Sequence, residues 1–203
     1  MAQNASKPHI LVAILASGSG SNAAAIVDYF QGHNFVRVVG IWTNKPNAGV
    51  VQRDAGVPVH VFIPGEDDAK LLTAWQDMGV TAVALAGYLK AVPLAWIEAF
   101  SGRMLNVHPA LLPKYGGAGM YGIHIHRAVI ASGETISGLT VHEVSEHYDE
   151  GPIYFQCPVS VRPEDQPEDL QARILKAEHW AFPRVLEAVL LNKPLPNPSE
   201  CPA

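Results

Sequence analysis

Asn106 and His108 stand two positions apart in the segment Asn106–Pro109, which follows a short apolar run. Residues i and i+2 of a strand point to the same face, so this spacing would present an amide and an imidazole together at the strand end. An amide donor beside an imidazole is suited to stabilising an oxyanion. The same pattern also fits a capped strand end with a hydrogen-bonded histidine, and the segment alone leaves both interpretations open.

A second candidate site is the Gly/Ser-rich run Ser17–Asn22, which lies between an apolar run and a helical pattern. Backbone N–H groups at a helix N-terminus bind anions, and glycines let the ligand approach closely. Gly18, Gly20 and Ala23 satisfy the G-x-G-x-x-G/A pattern of dinucleotide sites. However, Thr43–Lys45 follow the second strand, where an acidic residue should meet the ribose. We therefore favour a single phosphate as the ligand, with an unliganded tight turn as the alternative.

Asp149 is a third candidate and lies in the turn sequence Tyr148–Pro152. An aspartate in a turn usually makes only local backbone hydrogen bonds. Its interpretation as a catalytic carboxylate depends on its combination with the two motifs described above.

The histidines outside these motifs carry weaker signals. His124 and His126 form an H-x-H pair, but two ligands do not make a zinc site and neither cysteine lies at ligand spacing. We therefore expect no metal. His142, on a predicted strand, is typical of a structural histidine with satisfied hydrogen bonds.

The pattern of apolar and polar residues predicts an α/β fold. The first half alternates strands and helices, which indicates βαβ units and a Rossmann-like, mostly parallel twisted sheet with helices on both faces. The later strands predict an antiparallel addition. The predicted strands span residues 9–16, 35–42, 57–62, 81–86, 104–107, 137–144 and 153–161. The predicted helices span residues 22–30, 49–55, 67–78, 93–99, 125–131 and 166–191, the last kinked at Pro183.

The composition predicts one domain over residues 1–203, with an ordered core at about 9–191. The net charge of -5 and 14 scattered basic residues argue against nucleic-acid binding. No apolar run reaches the roughly 20 residues needed to span a bilayer, so no membrane association is expected. The polar start lacks the pattern of a signal peptide, and we expect a cytoplasmic protein.

The C-terminal segment at residues 194–203 is rich in proline and is predicted to be flexible. Cys157 and Cys201 are the two cysteines of the chain, and Cys201 lies in this tail. We therefore expect no structural disulfide, in keeping with a reducing compartment.

The motifs together resemble those of the folate-dependent phosphoribosylglycinamide formyltransferases of purine biosynthesis. The resemblance covers residues 9–191 and implies the formyltransferase fold. It is carried, in order, by ASGSGSN (16–22), LAGYLK (85–90), LNVHPALLPKY (105–115), HIHR (124–127), TVH (140–142), DEGP (149–152) and Glu178-His179.

The resemblance implies a role for each matching position. Asn106, His108 and Asp149 would be the catalytic residues, with a protonated His108 whose charge the Asp149 carboxylate favours. The substrates would be glycinamide ribonucleotide (GAR) and 10-formyltetrahydrofolate. GAR is expected to meet Ser19, Gly20, Ser21, Asn22 and Glu178. The folate is expected against Leu89, Lys90, Ala91, Val92, Val144 and the backbone that leads to Asp149.

The chain departs from the family pattern in three places. Leu89-Lys90 stands where many members have Met-Arg, and the Gly-rich segment at residues 116–122 is longer than the usual Pro-Gly turn. No arginine before residues 67–78 matches the one that often holds the substrate phosphate, which leaves Lys70 as a stand-in.

Two rival functions remain at this level. One is a related formyl chemistry, either transfer to another amine or hydrolysis of formyltetrahydrofolate; the known hydrolases usually carry a further N-terminal domain. The other is a non-catalytic nucleotide-binding module, which accounts for the phosphate loop but not for Asn106, His108 and Asp149. The sequence is compatible with a monomer or a homodimer.

Overall fold

A computed structural model describes residues 10–202, so the polar start at residues 1–9 and the last residue lie outside the described part. Seven strands form one sheet in the order β3-β2-β1-β4-β5-β6-β7. The strands are β1 (Ile10–Leu15), β2 (Val36–Thr43), β3 (Val59–Val61), β4 (Ala82–Leu85), β5 (Met104–His108), β6 (Ile136–Glu143) and β7 (Ile153–Ser160). The helices are α1 (Ser21–Phe30), α2 (Gly49–Gln52), α3 (Asp68–Asp77), α4 (Leu94–Ala99), α5 (Ile123–Ala131) and α6 (Pro167–Leu191).

The sheet is parallel from β3 through β5, and β6 and β7 extend it in antiparallel pairing. One apolar core lies under α1, α5 and α6, and a second lies under α3 and α4 on the opposite face. Buried parallel strands need apolar side chains on both faces, which is why β1 and β4 read as continuous apolar runs. The predicted fold class is confirmed.

The carboxyl ends of the parallel strands place the candidate residues at one edge of the sheet. The loop that begins α1 follows β1, residues 85–92 follow β4, and Asn106 and His108 end β5. The chain reverses after β6, so the segment 144–149 returns to the same edge. This topology is what brings distant motifs into one site.

One predicted helix is shorter in the structure, and another keeps its predicted span. The predicted helix at residues 49–55 stops at Gln52, because the backbone of Arg53 is extended. The long helix α6 has the predicted span and continues through Pro183, which is buried. Its N-terminus carries a capping box in which Gln166 and Asp169 satisfy each other's backbone N–H groups. None of the helices within residues 10–202 is both long enough and apolar enough to cross a membrane.

The prediction that the cysteines stay unpaired is wrong in this structure, where Cys157 of β7 and Cys201 form a disulfide. The proline-rich tail folds into a short 3-10 helix, Pro198–Glu200, in which the Asn197 side chain accepts a hydrogen bond from the Ser199 backbone N–H. This turn directs Cys201 back onto β7. The bridge restricts the flexibility predicted for residues 194–203 at Cys201, an effect that composition alone does not reveal.

Candidate active site

A cavity of about 450 Å³ lies at the carboxyl edge of the parallel strands. Its wall contains every residue that the sequence predicted for the site, and their individual roles stay predictions. The lining residues are 18–22, 85–92, 106–109, 117–122, 125–126, 142, 144–149 and the inner face of α6.

His108 is almost fully buried at the end of β5, and both of its ring nitrogens face protein groups. Its Nε2 lies 2.8 Å from the carbonyl oxygen of Tyr115, which can only accept, so Nε2 carries a hydrogen. Its Nδ1 lies 3.5 Å from Oδ2 of Asp149. The Nε2–H of His108 is therefore already hydrogen-bonded to the backbone of Tyr115, the residue directly before the Gly-rich segment.

The electrostatic setting of His108 differs from the expected imidazolium. Burial lowers the pKa of His108 below its usual value, and the nearby Asp149 carboxylate raises it by too little to compensate. The surroundings of the ring in this structure therefore favour its neutral form. Asp149 does favour the cation, as the sequence analysis expected, but the cost of burying the charge is the larger effect.

Asp149 occupies a left-handed backbone position with φ 60° in the turn after β6. Its Oδ2 accepts a hydrogen bond from the backbone N–H of Gly117 at 2.9 Å, and its Oδ1 lies 3.5 Å from Nε2 of His142. Burial alone would raise the pKa of Asp149, but the neighbouring imidazoles of His142 and His108 and the backbone N–H of Gly117 bring it below its usual value. Asp149 is therefore ionised near neutral pH, and its carboxylate has free lone pairs that can accept a proton.

Asn106 is half-buried and lines the cavity, and its Nδ2 lies 3.0 Å from Nε2 of His142. The two residues are register partners across the antiparallel pair β5 and β6. The sequence analysis interpreted His142 as a structural histidine. The signal that could have found it was the antiparallel addition, which had to place some β6 side chain beside Asn106.

The phosphate loop takes the form expected of an anion site. Gly20 has φ 74°, and a Cβ at this position would lie 2.5 Å from Cγ2 of Val50, so only glycine fits. Helix α1 begins at Ser21 with no side-chain cap, which leaves its first N–H groups directed at the cavity edge. Ser17 Oγ donates to Asn44 Oδ1 at 2.7 Å and fixes the strand-side end of the loop.

Arg53 is a basic residue beside this loop that the sequence did not single out. Its Nε donates to the carbonyl oxygen of Ser19 at 3.1 Å, and its guanidinium remains exposed. Lys70, considered as a stand-in for the missing arginine, instead lies 3.5 Å from Asp67 in the first turn of α3. The extended backbone after α2 is what carries Arg53 to the loop.

Glu178 connects the phosphate loop to α6. Its carboxylate accepts a hydrogen bond from Asn22 Nδ2 at 2.7 Å and is buried against the cavity wall. Burial raises the pKa of Glu178 to about 7, although the bond from Asn22 opposes this effect. The Oδ1 of Asn22 is buried without a partner, so a polar ligand group at this point would satisfy it.

Another part of the cavity wall carries mostly apolar side chains. The predicted folate-side residues lie together along it, and they are Leu89, Lys90, Ala91, Val92 and Val144. Leu89 is 41% exposed, which leaves a large apolar side chain open to a flat ligand. The wall is compatible with a bicyclic heteroaromatic ring.

The two histidines of the H-x-H pair lie in different environments. His126 is buried on α5 and lines the cavity, whereas His124 packs edge-on against Tyr121. Within residues 10–202, no three His, Cys, Asp or Glu side chains are grouped as metal ligands would be. The expectation of a reaction without a metal stays a prediction.

Comparison with known proteins agrees with this geometry. The sequence model of the Formyl transferase family matches residues 10–186, and the chain belongs to this family. The chain is 41% identical over 187 residues to the chloroplastic phosphoribosylglycinamide formyltransferase of Vigna unguiculata, covering 88% of this chain and 60% of the relative. It is 32% identical over 184 residues to the phosphoribosylglycinamide formyltransferase of Escherichia coli K12, covering 86% and 84%.

The tertiary structure has similar relatives. The crystal structure of glycinamide ribonucleotide transformylase 1 from Symbiobacterium toebii superposes with a TM-score of 0.82 at 35% identity, covering 91% of this chain and 89% of that one. The chain spans less than two thirds of the length of the Vigna unguiculata relative.

Proposed function

We propose that this protein transfers the formyl group of 10-formyltetrahydrofolate to the amine of GAR, which gives formyl-GAR and tetrahydrofolate. One observation carries the proposal: an anion loop with Glu178 and an apolar wall are parts of the same cavity as Asn106, His108 and Asp149. The names of the relatives agree with this reaction. Two bound substrates in one cavity gain rate from proximity, because a bimolecular step becomes effectively unimolecular.

The acceptor end is the loop at residues 18–22. The N-terminal amides of α1 receive the phosphate of GAR, and Arg53 supplies the positive charge next to Ser19. Glu178 and Asn22 are proposed to bind the glycyl end of GAR, where the unpartnered Oδ1 of Asn22 can accept a hydrogen bond. This arrangement favours a phosphorylated amine as the acceptor.

The donor end is the wall of Leu89, Lys90, Ala91, Val92 and Val144. The pteridine of the folate is proposed to lie against these residues, with its formyl group directed at the end of β5. The surface is sufficiently apolar and open to accept a flat ring system without displacing buried side chains.

The chemistry follows from the groups at the end of β5. The neutral amine attacks the formyl carbon, and the formyl oxygen becomes an oxyanion. Asn106 donates to this oxygen with the N–H that His142 does not use. Collapse of the tetrahedral intermediate breaks the bond to the folate nitrogen, which takes up a proton.

Asp149 is proposed to accept the proton that leaves the attacking amine and to pass it towards the folate nitrogen, directly or through water. His108 joins the oxyanion site when the substrate oxygen replaces the carbonyl oxygen of Tyr115 as the partner of Nε2. The Gly-rich loop is therefore expected to adjust on binding, because it holds both His108 and Asp149 in this structure.

The rival functions predict different results in one assay. The protein is incubated with GAR and a 10-formyl folate, and the absorbance of the deformylated folate is followed. We expect product only when both substrates are present. Deformylation without GAR would favour a hydrolase, a preference for another amine would favour a different acceptor, and no turnover with either would favour a binding module.

Cytoplasmic residence and the state of assembly are further parts of the proposal. We propose that the reaction takes place in the cytoplasm, and fractionation of tagged protein tests this. A monomer or a homodimer is expected, and analytical ultracentrifugation distinguishes them.

A further inference from the structure

His142 is a buried side chain between two of the proposed catalytic groups, with only 2% of its surface exposed. Its Nε2 lies 3.0 Å from Nδ2 of Asn106 and 3.5 Å from Oδ1 of Asp149. Its Nδ1 lies 2.8 Å from the carbonyl oxygen of Glu143. Both nitrogens of the ring are thus engaged by groups at the site.

These contacts determine the tautomer of the ring. A carbonyl oxygen can only accept, so Nδ1 carries the hydrogen that is donated to Glu143. The Nε2 of a neutral ring then has a lone pair, which accepts an N–H of Asn106. The backbone of β6 therefore turns His142 into a fixed acceptor that faces β5.

A fixed acceptor decides which way the Asn106 amide points. A terminal amide can rotate by half a turn and exchange its oxygen with its nitrogen. With His142 as an acceptor, only the orientation that places Nδ2 on the β6 side gains a hydrogen bond. The rotated amide would instead place its oxygen against a lone pair, which is repulsive.

We propose that His142 is a positioning residue for formyl transfer, which holds the Asn106 amide so that its second N–H is available to the developing oxyanion. This inference rests on the proposed function. His142 touches no reacting atom in this arrangement and acts through Asn106.

Two substitutions at position 142 separate the two hydrogen bonds of the ring. Glutamine places an amide oxygen near the position of Nε2 and can still accept from Asn106. Asparagine is shorter, reaches only the position of Nδ1, and loses the contact to Asn106. We expect His142→Asn to lower kcat about 10- to 100-fold, the range for a small misplacement at a reacting centre. We expect His142→Gln to retain kcat within about threefold and both variants to leave the KM for GAR nearly unchanged.

A double-substitution cycle tests whether His142 acts through Asn106. The activities of His142→Asn, Asn106→Ala and the double variant are compared with wild type. If Asn106 mediates the effect, the double variant is no slower than Asn106→Ala alone, because the amide that His142 positions is already absent. Independent effects that multiply would overturn the proposal.

Stability and turnover are measured on the same samples. If His142→Asn fails to fold, the glutamine variant decides the question, since its kcat must then remain near wild type. A folded glutamine variant as slow as Asn106→Ala, or a folded asparagine variant with wild-type kcat, would overturn the proposal. Wild-type protein without formyl transfer refutes the proposed function instead, so the two failures are distinguishable.

Discussion

The Nδ2 of Asn22 donates to Oε2 of Glu178 at 2.7 Å, across a sequence separation of 156 residues. This bond joins the first turn of α1 to the middle of α6, and α1 and α6 pack together along one face of the sheet. It places a buried carboxyl group next to the phosphate loop. The proposed acceptor end of the cavity is therefore assembled from segments that lie far apart in the chain.

The buried Glu178 predicts a pH-dependent stability. Its pKa is raised from 4.5 to about 7 by burial, so the folded state binds more protons than the unfolded state between these values. Stability from this group is thus full below about pH 4.5 and is lost as the pH rises through about 7. The loss is at most about 3 kcal/mol. Glu178→Gln should raise the free energy of unfolding at pH 8 and much less at pH 5, as measured by urea titration.

A matched control for this prediction is Glu98→Gln, at an exposed position on α4. This change should leave the pH dependence of the urea midpoint as in wild type. An equal gain from Glu178→Gln at pH 5 and pH 8 would contradict a buried carboxyl that becomes charged only near neutral pH.

Asn106→Ala should remove the oxyanion donor that is available in the present structure. We expect a loss of ~10²–10³ in kcat, with the KM for GAR changed little. Asn34→Ala, in an exposed turn, serves as the control. Circular dichroism checks that both variants are folded, and a near-native rate for Asn106→Ala would refute the oxyanion role.

Arg53→Ala should weaken binding of the phosphorylated acceptor. A hydrogen bond to a charged group contributes about 1.5–3 kcal/mol when protected, and this guanidinium is exposed, so we expect a rise in the KM for GAR of about three- to tenfold. The effect should shrink in high salt. Arg37→Ala, exposed near the opposite end of β2, provides a matched loss of charge. Equal KM values for the two variants would exclude Arg53 from the phosphate site.

Cys201→Ser should destabilise the oxidised protein, because the bridge to Cys157 closes a loop with a sequence separation of 44 residues. Disulfides of this kind contribute roughly 2–4 kcal/mol. We expect a lower Tm than wild type without reductant and equal Tm values with it. Ser199→Ala, in the same 3-10 helix, is the control. Free thiols in wild type under oxidising conditions would show that the bridge does not form.

Several features of this protein are determined by local sequence. Apolar runs such as Ile10–Leu15 predict buried strands, and the helical periodicity of residues 166–191 predicts α6. The glycines before α1 and the i, i+2 spacing of Asn106 and His108 likewise predict an anion-binding loop and a catalytic strand end, and the structure places both in one cavity. These features depend on residues near one another in the chain, so pattern and propensity suffice to find them.

Other features were decided only by the tertiary structure. The position of β6 beside β5 gives His142 its tautomer and its contact to Asn106, and the Tyr115 carbonyl occupies the donor of His108. The pairing of Cys157 with Cys201 depends on where the tail packs. Each of these depends on a contact between segments that only the packing of the chain brings together. Burial also lowers the pKa of His108, an effect that its neighbours in sequence do not determine.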